Sequence, residues 1–76
     1  MLMDLQRISQ KISDYKVCEH CNHLNWYENN ECCICQNKTF SEKESDVDFA
    51  VKQEYKFWVN EEKYTEEQAD NIDIEV

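Results

Sequence analysis

Residues 17–37, VCEHCNHLNWYENNECCICQN, contain all five cysteines of the chain and decide its fold. Two Cys-x-x-Cys pairs lie on either side of residues 22–31, and their members are Cys18, Cys21, Cys32 and Cys35. Two residues between cysteines let a tight turn direct both sulfur atoms at one point, about 2.3 Å from a zinc ion. The spacing therefore predicts one Zn²⁺ held by four thiolates. Such a site has no open position for water or substrate, so we expect the zinc to be structural and the chain not to be an enzyme.

The fifth cysteine, Cys33, adjoins a predicted ligand but cannot form a Cys-x-x-Cys pair with Cys35. We expect a spare thiol, with the alternative that Cys33 replaces Cys32 as a ligand. Disulfides are disfavoured because the number of cysteines is odd and no apolar signal peptide precedes them. The expected compartment is therefore the reducing cytoplasm, and no apolar run is long enough to cross a membrane.

Composition limits the remaining alternatives. A chain of 76 residues forms one small domain at most, and domains of this size often need a metal or a partner for stability. The formal net charge is −9: residues 1–40 carry four basic and five acidic side chains, and residues 41–76 carry four basic and twelve acidic ones. This balance opposes binding to a phosphate backbone. Glycine is absent, so the expected residues at left-handed backbone positions are Asn22, Asn29, Asn30 and Asn37.

Amphipathic helices are predicted on both sides of the cysteine-rich segment. Residues 1–15 carry apolar side chains at helical spacing and predict one helix, with a partner-docking or self-association seam as the alternative to packing inside the domain. Residues 41–76 form an acidic segment with a helix predicted from about Glu42 to Asn60, although a strand competes over residues 55–59. We expect a capping box at Ser41-Glu-Lys-Glu44, with an alternative start at Ser45.

The end of the chain carries two further signals. A second capping box, Thr65-Glu-Glu-Gln68, predicts a short helix to Asn71. Residues 72–76 alternate apolar and acidic side chains, which fits either an edge strand or a frayed acidic tail. The predicted fold class is a small metal-stabilised domain: a four-cysteine zinc finger or ribbon over residues 16–40, flanked by an N-terminal and a C-terminal α-helix.

The cysteine pattern, together with Asn25 four residues after Cys21, resembles the zinc fingers of the Ran-binding-protein type over residues 15–37. Short prokaryotic four-cysteine zinc ribbons share this spacing. The resemblance implies that the Asn25 side chain braces the two cysteine turns. It does not carry over ubiquitin or RNA binding, because Asn22-His23 stands where ubiquitin-binding members have Thr-Phe, and the finger has no arginine.

These features predict a small zinc-finger protein that acts as an interaction, adaptor or regulatory module for an unidentified protein partner. The candidate partner-binding residues are His23, Leu24, Trp26, Tyr27 and Trp58. A homo-oligomer is an alternative to a heterologous partner. A second hypothesis is nucleic-acid binding through His20, His23, Trp26 and Tyr27, which the negative charge disfavours. A third is an acidic DNA mimic that occupies the cleft of a DNA-binding protein.

Overall fold

The computed structural model describes residues 1–76, which form five short strands and three α-helices. The strands are β1 (Leu2–Asp4), β2 (Tyr15–Cys18), β3 (Leu24–Trp26), β4 (Phe40–Ser41) and β5 (Asp73–Glu75). The helices are α1 (Leu5–Gln10), α2 (Glu44–Lys56) and α3 (Glu66–Asp70). A 3₁₀ turn covers Ile12–Asp14, and a π-helical turn over Phe57–Glu61 continues α2. No helix has both the length and the apolar character needed to cross a membrane.

Strand β2 is the centre of the main sheet, which is antiparallel with strand order β3-β2-β4. All four residues of β2 are buried, as expected of a strand covered on both faces. Val17 lies opposite Leu24 on one side, and Cys18 lies opposite Phe40 on the other. The first predicted metal ligand is therefore fixed at the end of the central strand.

The hydrophobic core draws on all three segments that the sequence distinguishes. Its ten residues are Leu5, Ile8, Tyr15, Val17, Leu24, Val47, Ala50, Val51, Ile74 and Val76. A fully buried aliphatic side chain such as Leu5, Ile8 or Val47 contributes about 1.5–3 kcal/mol. Because each segment supplies part of one core, the helices pack onto the finger and do not extend from it as separate arms.

The N-terminal helix is much shorter than predicted, because helix α1 covers only six residues of the predicted range 1–15. The side chain of Asp4 caps its start by accepting a hydrogen bond from the N–H of Arg7 at 3.1 Å. Before the cap, residues 2–4 pair with β5 in an antiparallel ladder. The helix ends at Lys11, whose φ of −137° is not helical.

The C-terminal tail is an ordered strand, so the frayed-tail alternative is wrong. Met3 lies opposite Ile74 in the β1–β5 pair, and the side chain of Ile74 is buried in the core. Further contacts attach this strand to the finger: the N–H of Trp26 donates to the carbonyl of Val76 at 3.1 Å. The C-terminal strand thus links the N-terminal strand to the cysteine-rich segment.

Helix α2 begins later than predicted. Ser41 belongs to β4, and its hydroxyl donates to the carboxylate of Asp46 at 2.5 Å instead of capping the helix. The N-cap residue is Lys43, which makes no side-chain capping bond, so neither Ser41 nor Ser45 caps the helix. The helix predicted from about Glu42 to Asn60 is itself present, as Glu44–Lys56 and its π-helical continuation. The strand alternative over residues 55–59 is wrong, since these residues continue the helix into the π turn. The capping box of Thr65 and Gln68 at the start of α3 is present as predicted.

Candidate metal centre

The four paired cysteines meet at one point. The sulfur atoms of Cys18, Cys21, Cys32 and Cys35 all lie within 4.8 Å of one another. The Sγ atoms of Cys18 and Cys35 are 3.5 Å apart, and those of Cys21 and Cys32 are 3.6 Å apart. These separations exceed a disulfide bond of about 2.05 Å, and all five cysteines are free thiols. Four sulfur ligands at about 2.3 Å from a tetrahedral metal would be about 3.8 Å apart, so the cluster is arranged to hold a metal ion.

The two cysteine turns have the same backbone construction. In the first, the N–H of Asn22 donates to the carbonyl of Cys18 at 2.9 Å; in the second, the N–H of Gln36 donates to the carbonyl of Cys32 at 3.0 Å. Asn22 and Gln36 both adopt a left-handed conformation, with φ of 62° and 63°. Each directly follows the second cysteine of its pair, where the chain must reverse to bring both sulfurs to one side.

The prediction of left-handed asparagines is therefore correct for Asn22 and wrong for Asn29, Asn30 and Asn37. The second turn uses Gln36, and a third left-handed residue, Lys63 with φ of 61°, follows the π turn. Gln36 follows its Cys-x-x-Cys pair directly, as Asn22 does, and this shared position is the sequence signal that could have identified it.

Backbone N–H groups point at the first sulfur of each turn. Burial opposes ionisation of Cys18, but the N–H groups of Cys21 and His20, at 3.4 and 3.3 Å from its Sγ, lower its pKa from the ordinary value. The second turn repeats this pattern around Cys32. Burial again opposes ionisation, yet the N–H of Cys35, the side chain of Asn25 and the N–H of Ile34 lower the pKa of the Cys32 thiol to about 6.

The second sulfur of each turn holds its proton more tightly. Burial raises the pKa of Cys21 to about 12, despite a hydrogen bond from the N–H of His23. For Cys35, a hydrogen bond from the N–H of Asn37 lowers the pKa, but burial and the neighbouring thiol of Cys18 raise it, and the pKa is raised overall. The four thiols thus share their protons unevenly, and a bound cation would displace the protons that remain.

Asn25 joins the two cysteine turns from within the protein, with no exposed surface of its own. Its amide nitrogen donates to the carbonyl of His23 at 3.1 Å and to the Sγ of Cys32 at 3.4 Å. Its carbonyl oxygen accepts from the N–H of Cys33 at 2.9 Å and from the side chain of Asn29 at 3.1 Å. One side chain therefore fixes the position of the second turn relative to the strand that follows the first.

No family model matches this chain, and no curated protein or solved structure is significantly similar to it. What identifies the site is its own geometry. It is a cluster of four cysteines arranged to hold a metal ion, in a small domain of helices and strands.

Cys33 and the two histidines lie outside the metal cluster. The thiol of Cys33 lies 3.6 Å from the carbonyl of Glu75, and burial raises its pKa. The Nε2 atom of His23 lies 2.5 Å from the same carbonyl, so both side chains bind the finger to strand β5. His20 is exposed and contributes only its backbone N–H to the site.

The predicted partner-binding residues differ in exposure. Leu24 is buried in the core and offers no surface to a partner. Trp26 is half-buried against Tyr15, with ring centroids 5.6 Å apart. Trp58 is half-buried and stacked on Tyr64, and its indole N–H is buried without a hydrogen-bond partner. Besides the half-buried His23, this leaves Tyr27 as the exposed member of the set.

Lys16 is a structural residue that the sequence did not reveal. It is buried in β2, its ammonium group donates to the carbonyl of Asn29 at 2.6 Å, and it lies 4.1 Å from the centre of the Phe40 ring. The cation therefore supports the loop between the two cysteine pairs and is not available to a ligand. Its position within an apolar stretch gave no sign of this contact.

Proposed function

We propose that this chain binds one Zn²⁺ through Cys18, Cys21, Cys32 and Cys35, that the metal is structural, and that the protein acts as an interaction module for another protein. The observation that carries the proposal is the convergence of four thiol sulfurs within 4.8 Å of one another. Zinc accepts four thiolates in tetrahedral geometry, and a site with four protein ligands leaves no position for a substrate. The proposal therefore includes no catalysis.

The N–H donors that point at the cysteine sulfurs support a site with four thiolates. A divalent cation with four thiolates carries about two negative charges, which hydrogen bonds to sulfur help to stabilise. Backbone N–H groups approach the sulfur of Cys18, and Ile34 and Asn25 donate to the sulfur of Cys32. These donors favour the ionised ligands that zinc requires.

We further propose that residues 15–37 have the local fold of the Ran-binding-protein type of finger. The support is Asn25, which lies in the strand after the first cysteine turn and whose side chain hydrogen-bonds to His23 beside that turn and to Cys32 and Cys33 in the second one. Lys16 stands where the family usually carries tryptophan; here it is buried and hydrogen-bonded to the carbonyl of Asn29.

The charge distribution supports a protein partner over nucleic acid. Of the two lysines near the finger, Lys16 is buried and already hydrogen-bonded, which leaves Lys38. Exposed carboxylates, in contrast, occur along the finger at Glu19, Glu28 and Glu31. A surface of this kind repels a phosphate backbone, most strongly at low salt, where charges are least screened.

The metal part of the proposal is tested by elemental analysis of the purified chain. We expect one zinc per chain, and loss of both the metal and the cooperative fold in Cys18→Ser, because zinc binding and folding are coupled in domains of this size. A metal-free chain that unfolds cooperatively, or a metal-bound water detected by cobalt substitution, would contradict a structural zinc. The interaction part is tested by affinity purification from the native host: capture of nucleic acid without protein would contradict it.

A further inference from the structure

A groove lies between the first cysteine turn and helix α2. Its volume is about 800 Å³. One wall comes from the end of β2 and the turn that follows, with Val17, Cys18, Glu19 and Asn22. The other wall comes from α2 and the first residue of the π turn. A groove of this size lies in the range in which proteins bind ligands or peptide side chains.

The helical wall presents two parallel rows of side chains. Asp46, Ala50 and Glu54 follow one another at four-residue spacing, and a second row at the same spacing contains Phe49, Gln53 and Phe57. Side chains four residues apart form the ridges along which two helices pack. Since α-helices rise about 1.5 Å per residue, the two phenylalanines are separated by about 12 Å along the helix. A second helix laid in the groove would meet both rings.

The two phenylalanine rings on the helical wall are both exposed to solvent. Phe49 is 63% exposed and Phe57 is 45% exposed. Burial of a whole phenylalanine side chain contributes about 1.5–3 kcal/mol, so a partner that covers both rings gains a sizeable share of the free energy of binding. Neither ring contributes to the buried core.

The groove carries charge of one sign only. Three carboxylates line it, those of Glu19, Asp46 and Glu54, and no lysine, arginine or histidine does. The nearby Lys52 is paired with Asp48 at 2.8 Å, outside the lining of the groove. If two copies of the chain packed symmetrically through this groove, the carboxylates of one copy would face those of the other, because a symmetric contact uses the same surface patch on both copies. The groove therefore suits a cationic occupant.

We propose that this groove binds a cationic amphipathic helix of a partner protein, whose apolar side chains cover Phe49 and Phe57 and whose lysines or arginines face Glu19, Asp46 and Glu54. This inference rests on the proposed interaction function and specifies its partner. Recognition of an amphipathic helix by an apolar groove with complementary charge is an established mode of peptide binding. The charge also speeds association and makes it dependent on salt.

The test uses the full zinc-loaded chain and a fluorescein-labelled synthetic peptide of about 14 residues, with leucine at heptad positions a and d and lysine on the flanks. We expect saturable binding by fluorescence anisotropy with a Kd on the order of 10 μM at low salt, weakened at least about tenfold at 0.5 M salt. Chemical-shift changes in ¹⁵N spectra should map to α2 and the first cysteine turn. A peptide with every lysine replaced by glutamate should not bind.

Two matched pairs of variants assign the site. Phe49→Ala with Phe57→Ala should weaken binding at least about tenfold, whereas Leu2→Ala with Ile34→Ala, which removes side chains 63% and 52% exposed outside the groove, should leave it unchanged. Zinc content and circular dichroism are measured first for each variant.

The second pair changes charge and touches no core residue. Glu19→Gln with Glu54→Gln should weaken binding about threefold or more at low salt, while the exposed control pair Glu31→Gln with Glu67→Gln should not. If Phe49→Ala with Phe57→Ala loses zinc, the comparison of Glu19→Gln with Glu54→Gln against its control pair decides whether the peptide binds in the groove.

Three outcomes would overturn the proposal. The acidic peptide could bind as tightly as the cationic one, the test and control variants could change the affinity equally, or the cationic peptide could fail to saturate by about 1 mM. Shifts of the groove amides with protein concentration alone would overturn it in favour of self-association. A wild-type chain without zinc contradicts the proposed function as a whole. A zinc-loaded chain that ignores the cationic peptide contradicts only the assignment of the groove.

Discussion

Replacement of Asn25 measures how much stability depends on the bridge between the two cysteine turns. The side chain makes four hydrogen bonds, to His23, Asn29, Cys32 and Cys33, and is fully buried. A neutral hydrogen bond contributes about 1 kcal/mol, and one to an ionised group about 1.5–3 kcal/mol. Three of the four partner groups keep another hydrogen bond after the change, and only the N–H of Cys33 is left without one. We therefore expect Asn25→Ala to lower the free energy of unfolding by about 3 kcal/mol.

Such a loss is a large fraction of the total. A domain of 76 residues has a free energy of unfolding of about 4–11 kcal/mol. The measurement is urea unfolding followed by circular dichroism in a zinc-buffered solution, together with zinc affinity by chelator competition. Asn25→Asp should weaken zinc binding more than Asn25→Ala at pH 7: both variants lose the donor to the sulfur of Cys32, and the carboxylate in addition repels the thiolates.

Asn30 supplies the matched control, since it is an exposed asparagine in the same loop. Asn30→Ala should change stability by no more than about 0.5 kcal/mol. If Asn25→Ala costs less than about 1 kcal/mol, or no more than Asn30→Ala, then the side chain does not hold the two turns together and the bracing argument is refuted.

Three further predictions concern the cysteine turns and the end of α2. Cys33→Ser should keep one zinc per chain by elemental analysis, whereas Cys32→Ser should lose it; the same result for both would place Cys33 among the ligands. Gln36→Gly and Lys63→Gly should each raise the free energy of unfolding by about 1 kcal/mol, seen as a higher urea midpoint, because both residues have positive φ, which glycine adopts without strain. A lower midpoint would show that the lost side-chain contacts outweigh the relief of backbone strain. The folded-state pKa of Cys32, about 6, lies below the ordinary value of 9.0, so the stability from its ionised form is present at higher pH and is lost as the pH falls through about 6. Because folding is coupled to zinc binding, the thiols of the metal-free chain keep their ordinary pKa, so calorimetry in buffers of different ionisation enthalpy should show about four protons released per zinc at pH 7; release of clearly fewer would mean that the metal-free chain stays folded with Cys32 ionised.

Local chemistry was readable from the sequence wherever the contacting residues lie close together in the chain. The Cys-x-x-Cys pairs predict the cluster because the geometry of each turn involves only its own few residues. The capping box of Thr65 and Gln68 was readable for the same reason. Asn25 could be assigned its role only through the resemblance to a family, since nothing in its own neighbourhood shows a contact with Cys32.

Contacts between distant residues were not readable. Strand β1 exists because Leu2–Asp4 pairs with Asp73–Glu75 at the other end of the chain, and no local pattern distinguishes these three residues from the start of an amphipathic helix. Ser41 shows the same limitation. Its capping motif is complete in sequence, but pairing of β4 with β2 removes it from the helix start and turns its hydroxyl toward Asp46.

The metal centre and the groove share a residue, and this predicts that their ligands bind cooperatively. Cys18 contributes its sulfur to the cluster and also lines the groove, while the adjoining wall, Glu19 and Asn22, belongs to the first cysteine turn. The opposite wall, formed by α2, packs on the core through Val47 and Val51. Because zinc binding and folding are coupled, loss of zinc should disrupt the groove. By thermodynamic reciprocity, the cationic peptide should raise zinc affinity by the same factor by which zinc raises peptide affinity, a factor of about 5–150 for typical coupling. Chelator competition with and without saturating peptide measures this factor, and an unchanged zinc affinity would mean that the first cysteine turn keeps its shape without the metal.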